Sequence, residues 1–391
     1  MFNNNLVKEL NKKETPFYYY DLRLLENTIN AAKQEADKYN FHVHYALKAN
    51  FNDRVLKTIC DAGFGADCVS GNEVLKAIDS GFESNKIVFA GVGKSDKEII
   101  IALENDIFAF NVESVQELEV INGLAKYHGK RARVALRINP NVDAQTHHYI
   151  TTGLEENKFG IKIWELDNCI AKLKLLDHID LIGIHFHVGS QITDLNVFKS
   201  LCIKVNELNS WFEERGHHLK VLNVGGGLGV DYHNPNESSI PDFKAYFNVF
   251  DQFLERRNDQ EVHFELGRAL VSQCGSLISR VLYVKNGLKK HFLILDAGMT
   301  ELMRPALYQA YHKVEKLAAD DSSSNKATLN YDVVGPICES SDCFAKEVPL
   351  SETFRNDLIA IRSAGAYGEV MASRYNLREE IRYVYSDEIK E

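Results

Sequence analysis

The sequence predicts a (β/α)8 barrel followed by an antiparallel β domain. We count eight short, β-prone apolar runs that alternate with amphipathic stretches between residues 41 and 270. Polar residues stand at the ends of these runs, where barrel enzymes carry their active sites. After residue 270 the helical periodicity stops and short strands separated by turns follow one another. A chain of 391 residues has room for both domains.

The barrel prediction depends on the order of its elements. The eight runs lie at 42–47, 65–69, 87–90, 107–111, 133–138, 181–188, 221–224 and 262–266. Residues 95–105, 113–129 and 241–257, among others, place apolar side chains at helical spacing. Ser95, Ser114 and Pro241 stand where helices are expected to begin. Eight strand–helix units favour a barrel, and an open doubly wound sheet is the alternative.

The β domain is predicted from both ends of the chain. The aromatic segment 17–20, after a proline, indicates a strand that joins it. Segments 277–287, 290–299, 330–338 and 357–367 predict further strands, and the polar segment 320–326 predicts an exposed loop. The expected division is therefore a barrel over 21–270 and a β domain made of 1–20 and 271–391.

Composition excludes several classes of protein. The formal net charge of -10 argues against wrapping nucleic acid or coating an anionic membrane. We find no apolar run long enough for a membrane span and no signal-peptide pattern at the start. Seven cysteines without a CxxC pair indicate reduced thiols, so a cytoplasmic location is expected and a structural zinc site is not.

Two strand ends carry groups suited to catalysis. Lys48 directly follows the first barrel run, so it should project into the barrel mouth. A lone lysine at a strand end is most often just solvated, but a partly buried one becomes a nucleophile able to form a Schiff base. Glu265 ends the eighth run; it either makes a structural salt bridge or faces a pyridine nitrogen and keeps it protonated.

Two further patterns surround these groups. The run Gly225-Gly226-Gly227 with Gly229 offers backbone N–H groups for a phosphate, although tight turns also use glycine. His185 and His187 on one strand face suggest either a metal or one wall of a cofactor slot. No third and fourth ligands follow with convincing spacing, so we expect no metal.

Seven motifs in this order give the chain a family resemblance. They are YALKAN at 45–50, HFHVGSQI at 185–192, GGGLG at 225–229, ELGR at 265–268, DAGMTELMRPALY at 296–308, GPICESSD at 335–342 and GAYGEVMASRYN at 365–376. The sequence from about residue 15 to 378 resembles the fold-type III pyridoxal-phosphate (PLP) decarboxylases, which share the alanine-racemase-like barrel. Within that family it is most similar to the members that act on diaminopimelate.

The resemblance implies a role for each matching residue. Lys48, His187 and Cys338 match the catalytic positions: the lysine that holds PLP, the histidine that stacks on its ring, and a thiol that the family supplies from the other subunit. The expected cofactor-binding residues are Lys48, His187, Ser190, Gly225, Gly226, Gly227, Glu265, Gly267, Arg268 and Tyr367. The expected substrate-binding residues are Arg268, Arg304, Tyr308, Glu339 and Tyr367. The resemblance therefore also implies a homodimer with shared active sites.

The implied reaction converts meso-2,6-diaminopimelate into L-lysine and CO2, with Cys338 or Lys48 as the candidate proton donor. This substrate needs cations and an anion together at its far end, which Arg268, Arg304 and Glu339 would supply. Leu266 departs from the family, where proline is usual, and Ser341 replaces a usual glycine. The alternative is a decarboxylase of another basic amino acid or of a carboxylated polyamine on the same scaffold.

Two other classes share this barrel. A non-catalytic PLP carrier usually needs neither a second β domain nor a Cys-Glu-Ser segment, and both are present here. A racemase needs a tyrosine base opposite the lysine and a neutral ring nitrogen, for which an arginine would suit better than Glu265 does.

Overall fold

The structure is a computed structural model, and it describes residues 2–140, 158–288, 290–318 and 327–389. Eight parallel strands close into a barrel in chain order, as the sequence predicts. They are β2 (Phe41–Ala46), β3 (Gly65–Cys68), β4 (Ile87–Phe89), β5 (Ala109–Val112), β6 (Ala132–Arg137), β7 (Ile179–His185), β8 (Val221–Asn223) and β9 (Glu261–Leu266). The open-sheet alternative is wrong, because β2 pairs with β9 and closes the barrel.

Helices separate the barrel strands. They are α2 (Leu22–Asp37), α3 (Asp53–Asp61), α4 (Gly71–Asp79), α5 (Asp96–Glu104), α6 (Val115–Tyr127), α7 (Leu166–Leu173), α8 (Asn196–Glu214) and α9 (Phe243–Phe253), followed by α10 (Arg268–Val271). Ser95 and Ser114 are N-caps of α5 and α6, as predicted. Pro241 is not at the helix start, because the Asp242 carboxylate accepts from the N–H of Ala245 and caps α9.

The described residues group into two compact units. One comprises 29–229 and 242–269 and contains the barrel; the other comprises 1–28, 230–241 and 270–391 and contains the β sheet. The second unit also holds two short helices, α1 (Asn4–Leu10) and α11 (Arg304–Tyr308). Neither helix was predicted from the sequence, because each spans less than three turns and shows little periodicity.

The β unit is one eight-stranded sheet. Its strands are β1 (Phe17–Tyr20), β10 (Gly275–Asn286), β11 (His291–Leu295), β12 (Val314–Leu317), β13 (Thr328–Val334), β14 (Cys343–Ser351), β15 (Leu358–Ile361) and β16 (Arg382–Tyr385). The N-terminal strand β1 joins it, as predicted, by pairing antiparallel with β10. Two pairs are parallel rather than antiparallel, β1 with β16 and β11 with β13. The predicted loop 320–326 lies outside the described residues.

Aromatic packing on the outside of the barrel determines which face of the last strand, β9, points inward. The ring of Phe264, on β9, has its centroid 4.9 Å from that of Phe250 and 5.0 Å from those of Phe41 and Phe247. Because successive side chains of a strand alternate between faces, burying Phe264 against α9 directs Glu265 into the barrel interior. Among the described residues, we find no helix long and apolar enough to cross a membrane.

Candidate functional site

Lys48 lies just beyond the first barrel strand, in a short turn over Leu47–Ala49. The hydroxyl of Tyr45 donates to the carbonyl oxygen of Asn50 at 2.8 Å and closes this turn. The Lys48 Nζ atom lies 2.8 Å from Oδ2 of Asp67, the next-to-last residue of β3. The Lys48 side chain keeps 37% of its surface exposed, whereas Asp67 keeps only 1%. The Lys48 amine therefore contacts a buried carboxyl, while part of the side chain is exposed at the barrel mouth.

Burial dominates the electrostatics of Asp67. Together with the nearby charge of Glu265 it raises the pKa of the Asp67 carboxyl to about 7, although Lys48 works in the opposite direction. The second oxygen, Oδ1, is buried and has no hydrogen-bond partner among the described residues. A buried polar atom of this kind marks a place where another group is expected to bind.

Glu265, the next-to-last residue of β9, lies inside the barrel and accepts three hydrogen bonds. Asn111 and Asn223 each donate from Nδ2 to Oε1 at 2.8 Å, and His185 Nε2 lies 2.8 Å from Oε2. Burial alone raises the pKa of the Glu265 carboxyl, but the charge and hydrogen bond of His185, with Lys48, hold it below its ordinary value. Glu265 is therefore a carboxylate that stays ionised while buried.

His187 follows β7 and is kept neutral. Burial lowers the pKa of its imidazole from 6.5 to about 3, and the charges of Arg137 and Lys48 act in the same direction. Arg137 itself is bound to Glu113, whose Oε1 lies 2.7 Å from its Nη1 atom. Arg137, the last residue of β6, therefore makes a buried ion pair, and His187 offers an uncharged ring.

The glycine run after β8 is required by backbone packing. A Cβ atom on Gly225 would lie 2.1 Å from the carbonyl oxygen of Phe186, and one on Gly226 would lie 1.9 Å from that of Glu265. Gly227 adopts a φ of 110°, which other residues rarely take. No described residue accepts a hydrogen bond from the N–H of Gly226 or Gly227. The glycines are thus required by the tight turn, and this turn leaves the N–H groups of Gly226 and Gly227 as two donors at the barrel mouth.

The loops after β7 and β8 are joined beside this run. The N–H of Ile192 donates to the carbonyl of Gly227 at 2.9 Å, and the N–H of Gly229 donates back to Ile192 at 2.9 Å. Across the mouth, Arg268 Nη2 donates to the hydroxyl of Ser190 at 3.1 Å. Gly267, the residue before Arg268, is buried. These loops gather two N–H groups, a hydroxyl and a guanidinium, which is a donor set for an anion such as phosphate.

The remaining predicted residues belong to the β unit, and Arg304 is the best fixed of them. Its Nη1 atom donates to Tyr232 Oη at 3.0 Å and to His312 Nε2 at 2.7 Å. The Nδ1 atom of His312 lies 2.8 Å from a carbonyl oxygen, which only accepts, so Nε2 carries no proton and receives the arginine bond. Tyr308 lies one turn further along α11 and is partly buried.

Cys338 and Glu339 are both exposed. The N–H of Cys338 donates to Asn376 Oδ1 at 3.3 Å, and the hydroxyl of Tyr375 donates to Glu339 at 2.7 Å. Tyr367 is partly buried and has a left-handed φ of 55°. The structure thus brings Lys48, His187, Ser190, the glycines, Glu265, Gly267 and Arg268 together in the barrel unit, and holds the other predicted residues in the β unit.

The sequence reasoning missed three residues of the barrel site. Asn111 and Asn223 were not singled out, and His185 was considered only as a metal ligand or a wall, whereas all three bind Glu265. A signal for the asparagines exists. Each is the only polar residue of its short buried strand, AFNV for β5 and VLN for β8, and a buried amide needs a partner.

Known proteins are similar to this chain in architecture and in sequence. Residues 22–272 match the family model for the pyridoxal-dependent decarboxylase, pyridoxal binding domain. A diaminopimelate decarboxylase of Bacteroides thetaiotaomicron is 57% identical over 96% of both chains. The crystal structure of the Helicobacter pylori diaminopimelate decarboxylase complexed with L-lysine superposes with a TM-score of 0.90 at 38% identity, covering 97% of this chain and 93% of that one.

A more distant structure shares the fold alone. The arginine decarboxylase of Paramecium bursaria Chlorella virus has a TM-score of 0.86 at 23% identity and covers 98% of this chain and 100% of its own. The resemblance inferred from the sequence motifs is confirmed by the closer matches. The chain therefore belongs to the pyridoxal-dependent decarboxylases and, within them, to the diaminopimelate decarboxylase family.

Proposed function

We propose that this protein decarboxylates meso-2,6-diaminopimelate to L-lysine and CO2. The observation that carries the proposal is the polar set inside the barrel, with Glu265 held ionised by three donors and Lys48 beside the buried Asp67. This set suits an electron-withdrawing pyridine ring that carries an aldehyde. The 57% identity to a diaminopimelate decarboxylase over nearly the whole chain supports the choice of substrate.

The barrel residues fit pyridoxal phosphate, the cofactor of this family. Two buried atoms, Oδ1 of Asp67 and Nδ1 of His185, have no hydrogen-bond partner among the described residues, as expected of a site built for a polar ligand. We assign Lys48 as the residue that holds the aldehyde carbon. Ser190, Gly225, Gly226, Gly227, Gly267 and Arg268 would hold the phosphate, with Tyr367 as a further contact.

When bound, the cofactor accepts the electron pair that the departing carboxylate leaves on Cα. The chain's own groups prepare this chemistry. Glu265 would hold a proton on the ring nitrogen, since a carboxylate of lowered pKa favours the protonated form of a neighbouring base. His187 remains neutral, so it adds no positive charge that would compete with that proton. After decarboxylation, the amine of Lys48 or the thiol of Cys338 returns a proton to Cα.

The far end of diaminopimelate carries both a carboxylate and an ammonium. We assign Arg268, Arg304, Tyr308 and Tyr367 to the substrate carboxylates and Glu339 to the distal ammonium. Arg304 is buried and fixed by two partners, so its guanidinium is oriented before a substrate binds. Glu339 is exposed and held by Tyr375, an arrangement suited to a residue that meets its ligand from a surface.

We further propose that the active protein is a homodimer and that Cys338 and Glu339 complete the partner subunit's site. Both residues are exposed, so a second subunit can reach them. We propose 21–270 as the cofactor-binding domain and 1–20 with 271–391 as the β domain, although 21–28 and 230–241 group with the β unit. All seven cysteines are free thiols, which supports the proposed cytoplasmic location.

The test of the proposed activity compares substrates and one decisive variant. Purified protein should release CO2 from meso-diaminopimelate with a higher kcat/KM than from ornithine, arginine, lysine or carboxynorspermidine. Lys48→Ala should lower kcat at least about 10³-fold, because the covalent link to the cofactor is lost. The control is Lys57→Ala, which removes an exposed lysine paired with Asp61. A better kcat/KM for any other substrate would refute the assignment.

A further inference from the structure

Three side chains that the decarboxylation site does not use meet at the amino-terminal end of the barrel. His42 lies near the start of β2, and Glu261 and His263 lie near the start of β9. His42 is the register partner of His263, and Glu261 lies two residues before His263 on the same face. Their nitrogen and oxygen ligand atoms all lie within 4.8 Å of one another.

A chain of hydrogen bonds orients His263 toward this cluster. Nδ1 of His44 lies 3.0 Å from the carbonyl oxygen of Lys86, which only accepts, so His44 is protonated there. Nε2 of His44 is therefore the acceptor for Nδ1–H of His263, at 2.7 Å. The remaining nitrogen, Nε2 of His263, faces Glu261 Oε2 at 3.1 Å. Histidines that bind metals are oriented in this way, by donating their other N–H to a neighbouring acceptor.

Gly65 provides the space for this chain of hydrogen bonds. A Cβ atom at Gly65 would lie 2.4 Å from both Nδ1 of His44 and the carbonyl oxygen of Lys86. Any other residue would therefore push apart the two groups that fix the proton of His44. The glycine at position 65 of β3 thus leaves room for His44 of β2, the histidine that orients His263.

We propose that His42, Glu261 and His263 bind one divalent first-row transition-metal cation at the amino-terminal end of the barrel. Two imidazoles and one carboxylate suit Zn²⁺ or Co²⁺, whereas Mg²⁺ prefers oxygen ligands. Three protein ligands leave a fourth position for water. This proposal departs from the sequence-based expectation of no metal, which considered only His185 and His187 and missed ligands that come from the first and last barrel strands.

The ligands need a small adjustment to close around an ion. Bonds of about 2.1 Å in tetrahedral geometry place ligand atoms about 3.4 Å apart, less than the 4.8 Å within which these atoms lie. His263 is fixed, with 4% of its side chain exposed, while Glu261 has 49% exposed and is able to move. His42 is also partly exposed. Binding an ion therefore requires His42 and Glu261 to move toward His263, which stays in place.

The location indicates what the cation does. β2 and β9 are the first and last barrel strands, and their pairing closes the barrel. Glu261 is four residues before Glu265 on the same strand, about 13 Å away at the rise of a β-strand. A cation there joins the two strands at their closure without reaching the reacting atoms. A ligand that binds only the folded state stabilises it, so the site is structural.

The experiment titrates the holoenzyme, without a polyhistidine tag, with Zn²⁺ by calorimetry and with Co²⁺ by visible absorbance. We expect one site per chain that His42→Ala and Glu261→Gln each weaken at least about tenfold. The matched control is His218→Ala, since His218 pairs with Asp259 at 2.7 Å on the surface but belongs to no three-ligand cluster among the described residues. This control should bind as the wild type does.

Thermal unfolding provides a second measurement. Zn²⁺ should raise the Tm of the wild type and of His218→Ala, but not that of His42→Ala or Glu261→Gln, and Mg²⁺ should raise none of them. Glu261→Gln keeps the size of a half-exposed side chain, so its folding is expected to survive even where His42→Ala fails. Wild-type affinity and stoichiometry in Glu261→Gln, or a wild type that binds no more tightly than the variants, would overturn the proposal.

Discussion

The Nε2 atom of His185 lies 2.8 Å from Oε2 of Glu265, inside the barrel where both side chains are buried. Two asparagines on other strands donate to the second oxygen of the same carboxylate. Burial favours a protonated carboxyl, yet these partners and Lys48 lower the pKa of Glu265. The charge that the proposed reaction needs is therefore maintained by residues on three different strands.

The first prediction concerns Asn111, whose side-chain amide donates to Glu265. Asn111→Ala removes one of the three donors and should lower kcat/KM about tenfold or more, since a hydrogen bond to a charged group contributes roughly 1.5–3 kcal/mol. Asn111→Asp should lower it further, because a second carboxylate raises the pKa of Glu265. Steady-state kinetics check both. The control is Asn206→Ala, which loses an exposed hydrogen bond to Phe253. Equal activity of Asn111→Asp and wild type would contradict the role given to Glu265.

A second prediction follows from the neutral state of His187. Its pKa is lowered from 6.5 to about 3, so between these values the unfolded chain binds a proton there that the native chain does not. The free energy of unfolding therefore rises with pH across this window, and the contribution is lost as pH falls below 6.5. In the apo-enzyme, His187→Asn should reduce that slope by up to about 1.4 kcal/mol per pH unit.

Urea unfolding at several pH values between 4 and 7 measures this slope. The control is Asn206→Ala, which changes an exposed side chain without a titratable group and should leave the slope nearly as it is. If wild type and His187→Asn showed parallel pH dependence, His187 would not be held neutral by the fold.

The third prediction separates the role of the glycine run in backbone packing from its proposed role in binding phosphate. A Cβ on Gly226 would lie 1.9 Å from the backbone oxygen of Glu265, which has no room to move. Gly226→Ala should therefore lower the free energy of unfolding by about 3 kcal/mol or more. Gly123→Ala is the control, because Gly123 lies in α6 with nothing within 4 Å of its Cβ position; it should raise stability by up to about 1 kcal/mol. A Gly226→Ala chain with wild-type Tm but no cofactor binding would mean that the packing argument is wrong.

The fourth prediction tests the shared active site by complementation. Lys48→Ala is expected to be inactive, and Cys338→Ala as well if its thiol, rather than the Lys48 amine, returns the proton to Cα. If Cys338 serves the partner's site, mixing and reassembling the two variants should restore about a quarter of wild-type activity, because half of the dimers are mixed and each has one intact site. Activity that stays at the level of the separate variants would place Cys338 in the site of its own chain. Sedimentation of the mixture verifies that dimers form.

The barrel strands were easier to predict from the sequence than the strands of the β unit. The barrel strands were placed within two or three residues, because alternation between short apolar runs and amphipathic stretches requires neither long-range information nor a partner. In the β unit, β12, β14 and β16 were missed. Their inner and outer faces carry charged residues such as Lys316 and Glu347, and strands of this composition are recognised only by the sheet they pair with.

The amino-acid sequence is enough to predict the barrel, the family and the strand ends that carry Lys48, His187 and Glu265. Tertiary structure alone decided which side chains maintain their charge states. Asn111, His185 and Asn223 are far apart in the chain and meet at Glu265 only because the parallel strands close into a ring. The same closure brings His42 to His263, residues separated by almost the whole barrel. Contacts between strands of a closed sheet cannot be predicted from the local sequence. The alternation of side chains along one strand shows which residues face inward, but not which residues of another strand they contact.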